Sequence, residues 1–89
     1  MESILRLKPD VEWQPVDDEI VVLDLEASAY LAVNNTGARL WPLLAAGSSH
    51  ALLVEELASR FGVEDRQARA DVAAFVDRLR SLSLIVEEG

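Results

Sequence analysis

The side chains that could carry out chemistry in this 89-residue chain are few and scattered. His50 is the only histidine, and there is no cysteine. A histidine acts as a general base only beside a positioned partner, and no recognisable motif supplies one. Without cysteine the chain has no thiolate nucleophile, no disulfide and no zinc finger. Because His50 follows a predicted helix N-cap, we interpret it as a structural residue.

The remaining candidate groups for chemistry are three consecutive carboxylates and four glycines. Asp17, Asp18 and Glu19 could hold a cation, but the spacing of a calcium-binding loop does not follow them, so we interpret them as a solvated turn. The glycines are too far apart to form a phosphate-binding loop; they are Gly37, Gly47, Gly62 and Gly89. We therefore predict that the protein is not an enzyme and that it uses no metal and no cofactor.

The net charge of −8 limits the partners that the surface can attract. Residues 1–26 carry eight acidic side chains against Arg6 and Lys8, so most of the negative charge lies there. Such a surface repels nucleic acid and anionic lipid. No apolar run approaches the length of a membrane span, and "MESILRLKPD" lacks the pattern of a signal peptide. The prediction is a cytoplasmic protein with no membrane and no nucleic-acid partner.

Four arginines could make the predicted third helix, roughly residues 65–82, a DNA-recognition helix. They are Arg66, Arg69, Arg78 and Arg80. The same helix carries as many acidic side chains, Glu64, Asp65, Asp71 and Asp77, so its charge roughly cancels. A helix that reads DNA normally presents a basic face. A small DNA-binding protein therefore remains an alternative that the charge disfavours.

The hydrophobic pattern predicts strands in the first part of the chain and helices in the rest. Residues 4–16 alternate loosely, and Pro9 and Pro15 make this stretch an edge strand or a broken strand. "IVVLDL" at 20–25 is typical of a central strand, and "AYLAV" at 29–33 of a third strand. The connections are too short for helical crossovers, so the strands should form an antiparallel meander.

Three helices should follow the strands within one domain, residues 1–89. The spacing of apolar residues and the capping signals place them at about 36–46, 50–61 and 65–82. A side chain among residues 34–36 should cap the first helix, and "LIVEE" at 84–88 is a short strand or an ordered tail. The fold class is therefore α+β, with a three-stranded antiparallel sheet followed by three helices, as in a winged helix-turn-helix.

The third strand raises the question of its free edge. Natural sheets protect an exposed edge with lysine, proline or a bulge, and "AYLAV" contains neither of those residues. Either the third helix or the C-terminal tail covers the edge, or it stays open and accepts a strand from another molecule. The residues alone leave both alternatives open.

Three segments together resemble the PqqD-like family of peptide-recognition elements. They are "VVLDLEASAYLAVNNTGARLWPLL", "LVEELASRFGV" and "ARADVAAFVDRLRSLSLI", and the resemblance covers residues 11–86. It implies a non-catalytic domain that binds the leader segment of a ribosomally synthesised precursor peptide. The leader would add as a strand to the third strand and lie in a groove against the third helix.

The resemblance also implies partners. Stand-alone domains of this length resemble those of lasso-peptide biosynthesis, where the partners would be a leader-cleaving cysteine protease and an ATP-dependent cyclase. The alternative within the same family is a PqqD-type peptide chaperone that serves pyrroloquinoline quinone synthesis.

The resemblance further implies which residues bind the peptide. Those of the third strand are Ala29, Tyr30, Leu31, Ala32 and Val33, and those of the third helix are Asp71, Val72, Ala74, Phe75, Arg78 and Leu79. Asp71 and Arg78 would bind charged side chains of the leader or cap its carbonyls. Leu23 and Leu25 would form the floor of the same pocket.

Overall fold

The computed structural model describes residues 3–88 and confirms the α+β fold class. The strands are β1 (Ile4–Leu7), β2 (Val11–Val16), β3 (Glu19–Asp24), β4 (Ala29–Val33) and β5 (Ile85–Glu88). The helices are α1 (Asn35–Ala46), α2 (His50–Glu55), which continues as a π-helical turn (Glu56–Arg60), and α3 (Asp65–Ser81). These bounds lie within one or two residues of the predicted helices.

The strands β2, β3 and β4 form the predicted antiparallel meander, in that order. Val22 at the centre of β3 lies opposite Trp13 of β2 and Leu31 of β4. Because side chains alternate between the two faces of a strand, Ile20 and Val22 are buried while Leu23 points outward and is exposed. The sheet therefore has one inner face, which packs on the helices.

Residues 4–16 form two strands, so the predicted stretch is broken, and its second strand, β2, is also an edge strand of the meander. Asp10 adopts a positive φ of 67° at the break, next to Pro9, which has no N–H to donate. β1 lies outside the meander and pairs antiparallel with β5, with Leu5 opposite Glu87. The C-terminal segment is thus a strand, and it belongs to a separate two-stranded sheet.

The helix boundaries have identifiable causes. Gly47 ends α1 with a φ of 94°, which favours glycine, and the Leu52 N–H donates to the Ser49 hydroxyl at 3.2 Å to cap α2. Asn34 occupies the N-cap of α1, but its side chain accepts no hydrogen bond from a helix amide. The prediction of a side-chain cap at this helix is therefore wrong.

The core lies between the inner face of the meander and the three helices. Trp41, Leu44 and Leu53 are completely buried, as is the inner stripe of α3, which consists of Ala68, Val72, Val76 and Leu79. Completely buried side chains of this size contribute roughly 1.5–3 kcal/mol each. This core fixes α3 beside β4, which is an edge strand of the sheet.

Candidate functional site

The outer edge of β4 is open. Among residues 3–88, β3 is the only strand that pairs with β4. The C-terminal strand β5 pairs with β1 instead, so the tail does not cover this edge. An unpaired edge presents a row of main-chain donors and acceptors to any strand that approaches it.

A cleft of about 280 Å³ lies between β4 and α3. It is lined by most of the residues that the resemblance to the peptide-recognition family selects: Leu31, Val33, Asp71, Ala74, Phe75, Arg78 and Leu79. Leu79 is buried, whereas Ala74 and Arg78 are exposed. The structure thus brings side chains from the predicted strand and helix together on one concave surface.

A second cleft of about 340 Å³ continues along β4 towards its beginning. It lies between Ala29 and Tyr30 on the strand and Leu82 beyond the end of α3, and it shares Leu31 with the first cleft. We call the two clefts together the β4–α3 groove. The groove therefore follows the whole length of the open strand.

Gly37 in α1 sets the end of the groove near Val33. A Cβ atom added at Gly37 would lie 3.0 Å from Cε1 of Phe75 and closer still to a methyl group of Val33. Any larger residue would push the strand, the Phe75 ring or the helix out of position. Glycine at this position therefore allows α1 to approach β4 and α3 closely.

An aromatic cluster fixes the Phe75 side of the groove. The Phe75 ring packs edge-to-face on Trp41 at a centroid distance of 6.5 Å, and Trp41 packs in the same way on Trp13 at 6.4 Å. Trp41 has no exposed surface. Since buried aromatic pairs of this geometry are stabilising, Phe75 forms a pre-ordered wall.

An ion pair holds the turn that leads into β4. Lys8 Nζ lies 3.0 Å from Asp24 Oδ2, and the Ala27 N–H donates to Asp24 Oδ1 at 3.1 Å. The Lys8 ammonium, followed by the Ala27 N–H, lowers the pKa of Asp24 below its usual value, and the hydrogen bond to Asp24 raises the pKa of Lys8. The charged forms of both groups thus favour the folded turn.

The Asp24 ion pair makes stability depend on pH in the acid range. A carboxyl whose pKa is lower in the folded protein stabilises the fold above its unfolded pKa, and this contribution is lost as the pH falls through the folded pKa. We expect Asp24→Asn to lower the melting temperature near neutral pH and to reduce the loss of stability on acidification. Thermal unfolding between about pH 6 and about pH 2 measures both. Parallel curves for the two proteins would contradict this role of Asp24.

The structure separates some of the predicted site residues from the groove. Leu23 and Leu25 are exposed and line neither cleft, so they do not form its floor. Ala32 lies opposite Val21 on the outward face of the sheet, because it alternates with Leu31 and Val33. Val72 is completely buried in the core.

The groove also contains residues that the sequence analysis missed. Asn34, Thr36 and Gly37 line the first cleft, and Asp24, Leu82 and Leu84 line the second. The apolar stripe at spacings of three and four residues, which includes Phe75 and Leu79, leads to Leu82 as its next position, so this residue could have been found. Asp24 could also have been found, since it is the only charged residue in the apolar stretch "IVVLDL".

Metal-binding and membrane-spanning elements are absent from the described part of the chain. In residues 3–88, histidine and acidic side chains nowhere form a group of three or more that could hold a metal ion. Over the same range, the helices are too short or too polar to span a membrane.

Comparisons with known proteins find a family model and solved structures that are similar to this chain. The family model described as Coenzyme PQQ synthesis protein D (PqqD) matches residues 19–85. A search of curated proteins finds no significant match. Among solved structures, "TbiB1 in Complex with the TbiA(beta) Leader Peptide" superposes with a TM-score of 0.82 at 25% identity, over 90% of this chain and 93% of that one. "Lasso peptide synthetase B1 complexed with the leader peptide" superposes with a TM-score of 0.80 at 30% identity, over 92% and 96%.

Proposed function

Because the chain belongs to the PqqD family, we propose that it binds the leader segment of a ribosomally synthesised precursor peptide of the lasso type. The observation that carries the proposal is the open edge of β4 beside the β4–α3 groove. The two structural neighbours, each in complex with a leader peptide, support it.

Strand addition explains how the site binds a peptide. A leader that extends along β4 gains main-chain hydrogen bonds, each contributing about 1 kcal/mol net. Alternate side chains of the added strand point towards α3, where the groove accepts them. The pre-ordered wall of Phe75 and Leu79 lowers the entropic cost of binding, since these side chains are already fixed.

The protein acts as an adaptor in this proposal and catalyses no reaction. It presents the bound precursor to a leader-cleaving cysteine protease and to an ATP-dependent cyclase, all in the cytoplasm. The PqqD description of the matching family supports a second candidate, a peptide chaperone for pyrroloquinoline quinone synthesis. The two lasso-type neighbours favour the first, and genes for a protease and a cyclase beside the gene for this protein would distinguish them.

The charge pattern of α3 argues against DNA binding. Arg69 pairs with Asp65 at 3.1 Å, and Arg80 contacts both Asp77 and Glu87. Two of the four arginines are thus neutralised by neighbouring carboxylates, so the helix does not present the continuous basic face of a DNA reader.

The proposal is tested by identifying a small precursor gene beside the gene for this protein and titrating the protein with the synthetic leader that this precursor gene encodes. We expect saturable 1:1 binding, detected by calorimetry, that changes far less with salt than binding to duplex DNA would. The same titration with a scrambled leader is the control. Equal binding of both peptides, or binding of neither, would contradict the proposed function.

A further inference from the structure

Two charged side chains on the groove side of α3 lack the neutralising partners that most other charges of the helix have. Elsewhere on the helix, Asp65 pairs with Arg69 four residues later, and Asp77 pairs with Arg80 three residues later. In the range 3–88, Asp71 and Arg78 form no ion pair, because the residues three and four positions away from each are uncharged. Both side chains line the first cleft.

The surroundings of these two groups keep them available to a ligand. Asp71 accepts one hydrogen bond from the neutral Gln67 amide at 2.7 Å, which orients its carboxylate without cancelling the charge. The Arg78 guanidinium is exposed and makes no side-chain hydrogen bond to any other residue of the described chain. In residues 3–88, Arg78 is one of three arginines without an ion pair, the others being Arg39 and Arg66, and of these three it alone lines the first cleft.

The spacing of the two groups fits a β-strand. Arg78 lies seven positions after Asp71, and seven positions correspond to about 10.5 Å along a helix axis. An extended peptide covers this distance in about three residues. Only alternate residues of an added strand point towards α3. The two leader side chains that reach Asp71 and Arg78 therefore lie two or four positions apart in the leader.

We propose that the β4–α3 groove selects leaders that carry one basic and one acidic side chain two or four residues apart, bound by Asp71 and Arg78 respectively. This inference rests on the proposed function and adds the charge pattern of the peptide to it. The pair also fixes the register of the added strand, because a slip of one residue points both charges away from α3.

The groove also determines the order of the two charges in the leader. Phe75 lies near the end of β4 at Val33, and Leu82 lies near its beginning at Ala29, so β4 and α3 run in opposite directions. A leader that pairs antiparallel with β4 therefore runs in the same direction as α3. Its basic residue, opposite Asp71, then precedes the acidic residue opposite Arg78; a parallel leader would have the reverse order.

Charge reversal with compensating peptides tests the inference. The variants are Asp71→Arg and Arg78→Glu, and the control is Arg66→Glu, which makes the same charge change as Arg78→Glu at an exposed position of α3 outside the groove. Each protein is titrated with the leader of the adjacent precursor gene and with a set of peptides in which each charged residue is reversed in turn. Circular dichroism confirms that each variant is folded.

We expect each groove variant to bind the natural leader about fivefold more weakly, while the control changes little. One peptide with a reversed acid should restore binding to Arg78→Glu, and one with a reversed base should restore binding to Asp71→Arg, at positions two or four apart. If the wild-type protein binds the leader but no peptide rescues either variant, this inference is wrong and the proposed function stands. If the wild-type protein binds no leader, the proposed function fails.

Discussion

Proline at one of two adjacent positions in β4, either 31 or 32, should weaken leader binding strongly and leave the protein folded. The N–H groups of Leu31 and Ala32 point to opposite edges of the strand, because neighbouring residues in a β-strand alternate in direction. Proline at one of them removes a hydrogen bond to β3 and lowers stability, while proline at the other removes only a donor on the open edge. The second variant separates the ability to fold from the ability to accept a strand.

The measurement pairs thermal unfolding with leader titration for Leu31→Pro and Ala32→Pro. We expect the variant with the nearly unchanged melting temperature to bind the leader at least about tenfold more weakly. One main-chain hydrogen bond to the leader is lost, and the proline ring obstructs the approaching strand. Leu31→Ala controls for the loss of a side chain that lines both clefts. If the stable proline variant binds normally, the leader does not add to β4.

The sequence predicts this edge for physical reasons that are local. The short connections around 20–25 and 29–33 allow only hairpins, so the order β2-β3-β4 and the terminal place of β4 follow from the chain itself. The stripe at spacings of three and four residues likewise places Val72, Val76 and Leu79 in the core before any coordinates are known. The strand β4 and the helix α3, which form the groove, could therefore both be predicted from the sequence pattern.

The pairing of β1 with β5 could not be predicted, because it joins the two ends of the chain. Ile4 lies opposite Glu88, and no local pattern specifies a contact over such a separation. Its consequence is functional, since a C-terminal segment that pairs with β1 is not available to cover β4. The choice between a covered and an open edge thus depended on a long-range contact.

The faces of β3 and β4 show a second limit of sequence reasoning. The pattern of "IVVLDL" is nearly continuous, and its one charged side chain, Asp24, lies on the face of Ile20 and Val22, so nothing in it shows that Leu23 points away from the helices. The register decides the matter: Leu23 pairs with Tyr30, and both are exposed. The family resemblance selects the strand that has the open edge, but burial by the helices determines which of its side chains face the groove.

A bulky side chain in the first cleft should block the leader without affecting the fold. Ala74 is exposed on α3 and lines the cleft, whereas its neighbour Ala73 is equally exposed and lines neither cleft. Ala74→Trp places the largest natural side chain in a space of about 280 Å³. Because successive helix residues are turned about 100° from each other, Ala73→Trp makes the same chemical change outside the cleft.

We expect Ala74→Trp to bind the leader at least about tenfold more weakly and Ala73→Trp to bind it as the unchanged protein does. Both variants should lose only about 0.5 kcal/mol of stability, because tryptophan is a poorer helix former than alanine. Calorimetry measures the affinity for the leader, and thermal unfolding measures the stability of each variant. Equal affinities would mean that the leader lies outside this cleft, and tighter binding by Ala74→Trp would show that the peptide fills the cleft only in part. In either case the wall of α3 would contribute no steric selection against the leader.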